Sequence, residues 1–258
     1  MILEKLKTQI EVLSALAIRD MQGKMKASRY GYVWLLIEPL FFVLVFRIAI
    51  KRGLGQTGSI YGMTPLMYGI LGIIPLYLCF AAIQTYPTIV KPSKLLAFSR
   101  VTVIDLAVAN GATGFAMYFF LFWAVALPVS IHENAWPPHN IVQINLALIA
   151  GWILGMATAF ALSGLYRVFP GIKALTGYVI WGVRMISGYV FCAAQVPMQY
   201  WPYLTWNPLL HVTELTRSGW FESYASPIAN PVFIIECTLG MLLLGLAVER
   251  FMRRVRQA

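Results

Sequence analysis

The chain has little charge. Only 12% of its 258 residues are Asp, Glu, Lys or Arg, and only ten are acidic. Soluble domains carry about 25% charged residues, so this shortage, with 59% hydrophobic residues and a mean hydropathy of +0.71, excludes an ordinary soluble fold. Nucleotide-binding sequence is missing as well. No Gly-x-x-x-x-Gly-Lys-Ser/Thr string occurs, so the chain lacks the phosphate-cradling loop and lysine with which a P-loop hydrolyses ATP. There is no His-Glu-x-x-His to hold a helix-borne zinc. Cysteine is scarce: Cys79, Cys192 and Cys237 are odd in number, lie in apolar runs and form no Cys-x-x-Cys. They read as small buried hydrophobes, with no disulfide framework and no metal site expected. The only histidines are His132, His139 and His211, all outside the apolar runs. An intramembrane serine protease therefore has no base for Ser163 or Ser187. The N-terminus alternates charged and apolar residues instead of placing a basic stub before an apolar core, so no signal peptide is expected.

What the chain has is apolar runs. A bilayer core about 30 Å thick needs roughly 20 apolar residues per helix. Six runs meet that need, at about 31–50, 62–84, 101–128, 141–166, 174–194 and 231–248. The expected fold class is an all-α polytopic membrane protein with six transmembrane helices. Residues 1–30 form a separate cytoplasmic interface segment, and 31–258 form the transmembrane domain. The net charge of +10 sits beside the runs: Lys91, Lys94 and Arg100 in loop 85–100, Arg167 and Lys173 in a short turn, and Arg250, Arg253, Arg254 and Arg256 at the end. Loop 129–140 has no Lys or Arg. Basic residues mark the cytoplasmic side, so both termini are expected there, and no nucleic-acid partner is implied. Ile2, Leu6, Ile10, Leu13 and Ala17 repeat at helical spacing ahead of a basic stretch from Arg19 to Tyr30. That predicts an amphipathic helix lying at the membrane surface against lipid headgroups.

Several polar residues interrupt the runs. Glu38-Pro39 lies in the first, where a carboxylate is costly unless neutral, hydrated or paired; a satisfied kink and a cavity lining both fit. Arg47, Lys51 and Arg52 follow at its outer end, as a cationic mouth or as snorkelling side chains. Arg184, mid-way along the fifth run, calls for a partner carboxylate or a hydrated lumen. Gly151 and Gly155 stand four apart, a spacing that allows close helix approach.

The most irregular stretch is 195–230. Pro197, Pro202 and Pro208 punctuate it, and Tyr200, Trp201, Tyr203, Trp206, Trp220 and Phe221 crowd it. Tyr and Trp favour the membrane–water boundary, so a broken, re-entrant periplasmic hairpin is expected. Leu209 to Arg217 reads as a short helix with His211, Glu214 and Arg217 on one face. An interfacial glycosyl- or acyltransferase is the alternative from another class, with Glu214, Glu222 and His211 as its acid–base groups.

Two strings carry a family resemblance. Leu16-Ala-Ile-Arg-Asp20 followed by Arg29-Tyr-Gly-Tyr-Val-Trp-Leu-Leu-Ile-Glu-Pro39, and Val196-Pro-Met-Gln-Tyr-Trp with Leu204-Thr-Trp-Asn-Pro-Leu-Leu-His-Val-Thr-Glu-Leu-Thr-Arg217, resemble the N- and C-terminal signatures of ABC-2 type polysaccharide exporters. The nearest likeness is to the inner-membrane permeases of Gram-negative capsular polysaccharide export. One departure is Gly23-Lys-Met-Lys26, where relatives often have a second Arg behind the Arg19 position; the charge is kept. The resemblance implies half of a channel in the inner membrane, completed by a second copy. It implies two separate ATPase subunits that carry ATP and Mg, no cofactor on this chain, and periplasmic and outer-membrane export partners. It assigns ATPase coupling to Pro87, Lys91, Pro92 and Lys94, and a gate at the lipid-linked glycan's entrance to the N-terminal helix with Arg19 and Asp20. Tyr200, Trp201, Tyr203 and Trp206 become exit aromatics, and Asn207, Pro208, His211, Glu214 and Arg217 the hairpin's working residues. Glu38, Arg47, Lys51, Arg52 and Arg184 become lumen charges, and these cations with Arg217 suit an anionic glycan. Permeases for O-antigen or teichoic-acid-like polymers share this pattern.

Overall fold

A computed structural model describes residues 2–27, 37–45, 47–48, 61–90, 103–169, 171–189 and 191–257. Among them there is no β-strand. The helices are α1 (Ile2–Ala27), α2 (37–45), α3 (Pro65–Ile83), α4 (Tyr86–Val90), α5 (Val103–His132), α6 (Ile141–Val168), α7 (Ile172–Arg184), α8 (Trp201–Leu204), α9 (Pro208–Trp220) and α10 (Pro231–Gln257). Four segments are long and apolar enough to cross a membrane: Pro65–Val90, Ile104–His132, Ile141–Arg167 and Pro231–Val248. They coincide with four of the six predicted runs.

The other two runs differ from expectation. Of 31–50, residues 31–36, 46, 49 and 50 lie outside the described residues, and the rest form the short helix α2 and its continuation at 47–48. The run 174–194 is not one continuous helix. α7 has 13 residues, about 20 Å at 1.5 Å per residue. It passes into a π-turn over Met185–Tyr189, where Gly188 takes φ +78. That left-handed backbone ends the helix and is open to glycine at little cost.

α3 is the helix the others surround. Thr64 caps it by accepting from the Met67 N–H at 3.2 Å, Pro65 fills the first turn, and sixteen of its 19 residues are buried. It touches α5, α6 and α9. Gly155 of α6 explains how close the α6 contact is: a Cβ there would stand 2.5 Å from the Cys79 carbonyl oxygen of α3. The Gly151/Gly155 spacing thus serves the close approach it predicts. α5 and α10 turn apolar side chains outward, among them Phe120, Leu239 and Leu243. Large exposed apolar faces are expected where lipid, not water, is the solvent.

α1 extends past the apolar repeat that ends at Ala17, running through Arg19 and Asp20 to Ala27. Leu16 is buried against Leu106 and Ala109 of α5. Gln9 Nε2 donates to Asp105 Oδ1 at 2.5 Å, which fixes α1 to the start of α5.

Candidate functional site

Two polar centres stand out inside this apolar scaffold. The first is built around α9. Asn207 accepts from the Leu209 N–H through its side-chain oxygen at 3.1 Å, and Pro208 takes the first helical position. Both residue types suit a helix start: Asn satisfies an orphan N–H, and Pro lacks one. The Asn207 amide also donates to the Ile186 carbonyl (3.0 Å) and to Ser187 Oγ (2.9 Å), tying α9 to the π-turn. Asn-Pro is therefore a joint between two elements.

One turn on, His211 is buried. Its Nδ1 accepts from the Asn230 N–H at 3.1 Å, so the remaining proton is on Nε2, which donates to the Thr205 carbonyl at 2.8 Å. Both nitrogens are spent on backbone groups flanking α9. Replacing His211 by Phe keeps the ring and strands both partners, each at about 1–3 kcal/mol if water stays out. We expect His211→Phe to lower the melting temperature of the purified protein clearly; melting unchanged from the parent contradicts this role.

Glu214 and Arg217 lie deeper, with both side chains 0% exposed and 3.2 Å apart. Glu214 Oε1 accepts from Arg217 Nη1 and from the Ala193 N–H, each at 3.2 Å. Its Oε2 accepts from Ser226 Oγ at 2.6 Å and from the Tyr224 hydroxyl. Arg217 donates to the Phe191 carbonyl (2.9 Å) and the Gly188 carbonyl (2.6 Å), and its guanidinium stands 4.3 Å from the centre of the Tyr68 ring. Burial, then the neighbouring Glu214, push the Tyr224 phenol well above its ordinary range, so it remains a donor. Gly188 is required here twice: for its positive φ, and because a Cβ would meet Thr213 Oγ1 at 2.5 Å. Both charges are compensated within the protein, so Arg217 faces no lumen and Glu214 presents no free oxygen to a substrate.

Of the four aromatics expected at an exit, Trp201 is pinned by donating to the Ala193 (3.1 Å) and Val196 (2.9 Å) carbonyls. Tyr200, Tyr203 and Trp206 are exposed, the last two at 79% and 80%.

The second centre is a cavity of about 270 Å³ whose walls include Glu38 of α2, Tyr77 and Phe80 of α3, Asn110 and Tyr118 of α5, and Arg184 of α7. The Tyr77 hydroxyl donates to Glu38 Oε1 at 2.9 Å and accepts from Arg184 Nη1 at 3.3 Å. The Arg184 guanidinium lies 4.5 Å from the Tyr77 ring centre and 5.0 Å from that of Phe80. The acid of the first apolar run and the arginine of the fifth thus meet through a phenol.

The remaining sequence-predicted residues are dispersed. Arg19 and Arg47 are exposed, and Asp20 is half-buried on α1. Pro87 lies in α4, whose end is held by Arg167 Nη2 donating to the Ile89 carbonyl at 3.1 Å. Lys51, Arg52, Lys91, Pro92 and Lys94 lie outside the described residues. Tyr68, Tyr77, Tyr224 and Ser226 belong to these centres and went unpredicted. The available signal was that a tyrosine inside an apolar run must find a partner for its hydroxyl. Among the described residues no group of His, Cys, Asp and Glu is arranged to hold a metal.

A helical scaffold with four apolar spans, a buried ion pair beneath a broken loop and a polar cavity between helices defines a polytopic membrane protein. Comparison with known proteins narrows this. No family model matches the chain. It is, however, similar over nearly its whole length to proteins of polysialic acid transport and of capsule polysaccharide export. It is 25% identical to a polysialic acid transport protein, KpsM, of Escherichia coli over 95% of this chain and 94% of that one. It is 25% identical to the capsule polysaccharide export inner-membrane protein CtrC of Neisseria meningitidis serogroup A over 98% of this chain and 96% of that one. For the corresponding protein BexB of Haemophilus influenzae the identity is 24%, over 96% and 93%. The likeness to these transport and capsule export proteins therefore extends well beyond the two signature strings.

Proposed function

We propose that the chain is the membrane permease subunit of an ABC transporter that exports a lipid-linked capsular polysaccharide across the inner membrane. The observation that carries this reading is end-to-end similarity to inner-membrane proteins of capsule polysaccharide export. The sequence adds that the chain has no P-loop of its own, so the energy comes from a separate ATPase. Two copies build the channel, six spans each, with both termini cytoplasmic. α1 lies along the cytoplasmic interface as the gate helix, and α4 with the segment that follows meets the ATPase. Tyr200, Tyr203 and Trp206 offer faces on which sugars stack weakly enough to slide, on the periplasmic side, where further export components join. The exposed Arg47, with Lys51 and Arg52, gives an anionic glycan a cationic mouth.

The transferase alternative needs a free acid–base group. His211 has both nitrogens engaged and Glu214 both oxygens, while Glu222 is exposed and 4.0 Å from His139. These residues do not converge on a substrate position. The permease reading predicts that the chain, expressed with its neighbouring genes, co-purifies in mild detergent with a P-loop ATPase. Substitutions at Pro87 or Lys91 should weaken that complex. Isolation of the chain alone, with no nucleotide-binding partner, contradicts the proposal.

A further inference from the structure

We infer that the cavity between α2, α3, α5 and α7 is a binding site for one saccharide unit of the exported glycan, clamped by the Glu38–Tyr77–Arg184 relay. This inference rests on the exporter reading and assigns that reading a specific site. At about 270 Å³ the cavity has room for about nine waters at roughly 30 Å³ each, the scale of one sugar ring and not of a polymer segment. Its chemistry is selective. An arginine alone would ask for an anion and a carboxylate alone for a cation, but here both stand on one wall with a phenol between them. The pair is balanced, so the hydroxyl-bearing, uncharged edge of a sugar ring, which carries both donors and acceptors, fits it best whatever charge the unit bears elsewhere. Arg184 has donors to spare: Nη1 reaches Tyr77, and among the described residues Nε, though buried, has no hydrogen-bond partner. Guanidinium donors in a fixed fork beside a carboxylate acceptor match the adjacent hydroxyls of a pyranose. Tyr118, whose ring centre is 6.0 Å from that of Tyr77, and Phe80 supply the apolar wall that a sugar's C–H face requires. An acyl chain has no use for this lining.

The site is tested in the cell that makes the glycan, with its own surface polysaccharide as the probe. A photo-crosslinking amino acid, p-benzoylphenylalanine, replaces Met117 on the cavity wall, and in a control strain it replaces Ile153, exposed on α6. Irradiation is expected to give an adduct at position 117 that stains after periodate oxidation, and none at 153. Tyr77→Phe, which removes the bridging hydroxyl and keeps the ring, should cut the adduct at least about tenfold, the scale of a lost hydrogen bond to a charged group. If Tyr77→Phe does not accumulate in the membrane, Glu38→Gln, which keeps an acceptor for Tyr77, carries the same expectation. Glycan reaching the surface with no adduct at 117, or with a yield unaffected by the variant that accumulates, overturns the site and leaves the exporter standing. Glycan reaching the surface when the chain is deleted overturns the exporter reading and the site with it.

Discussion

Replacing Arg217 by Ala should unfold the part of the molecule packed around α9 or bring it close to unfolding. The substitution leaves Glu214 in a fully buried position with one of its donors removed, and it strands the Gly188 and Phe191 carbonyls. Breaking a buried ion pair from one side costs about 3–5 kcal/mol, because the remaining charge is uncompensated. That is a large share of the 5–15 kcal/mol by which typical folds are stable. Thermal melting of the purified protein in detergent reads the loss. Arg217→Lys should recover part of it, since an ammonium keeps the charge but cannot span two carbonyls and a carboxylate as a planar fork does. A variant Arg217→Ala that melts within a degree or two of the parent would mean that the ion pair does not hold the hairpin.

The second large effect belongs to Gly155→Ala. The new Cβ would lie 2.5 Å from the Cys79 carbonyl oxygen and 2.8 Å from Ala82 Cβ. A backbone oxygen in a buried helix cannot swing aside, so α3 and α6 must separate. Overpacking of this kind costs about 1–3 kcal/mol or more, and export should fall with it because α3 carries Tyr77. Gly177→Ala on α7 is the matched control. Nothing lies within 4 Å of its added Cβ, and Ala is favoured over Gly in a helix by about 0.5–1 kcal/mol. We expect the first to lower and the second to hold or raise the melting temperature. Equal effects from the two would contradict the close contact.

The long elements were legible because bilayer thickness imposes a length that composition alone reveals. The runs at 62–84, 101–128 and 141–166 became helices within a few residues of those limits, and 231–248 became the first two-thirds of α10. Boundaries shifted where polar sequence was taken for an end: α1 runs through Arg19-Asp20 to Ala27, and α10 continues into the basic tail. Hydropathy was blind to the fifth run's break, because Ser187-Gly188 is small and uncharged, and only the φ of +78 at Gly188 exposes it. At the sites, spacing identified α9 and its three polar residues, and a mid-run arginine demanded a partner. Their destinations were not readable. His211, Glu214 and Arg217 share a face, yet each is satisfied by groups distant in sequence, such as Tyr68, Ala193, Tyr224 and Asn230. Arg184 reaches Glu38 only through Tyr77, which one-dimensional charge pairing cannot foresee.

The measurement closest to the central claim is ATP-driven transport by inverted inner-membrane vesicles from a strain carrying this chain and its neighbouring ATPase gene. Vesicles are loaded on their outer, cytoplasmic face with radiolabelled lipid-linked capsular glycan, and protection of the label from an added glycan-degrading enzyme is followed. The account predicts ATP-dependent protection that disappears when the chain is deleted and when the ATPase P-loop lysine is replaced. Protection that is equal with and without the chain, or that proceeds without ATP, would contradict it.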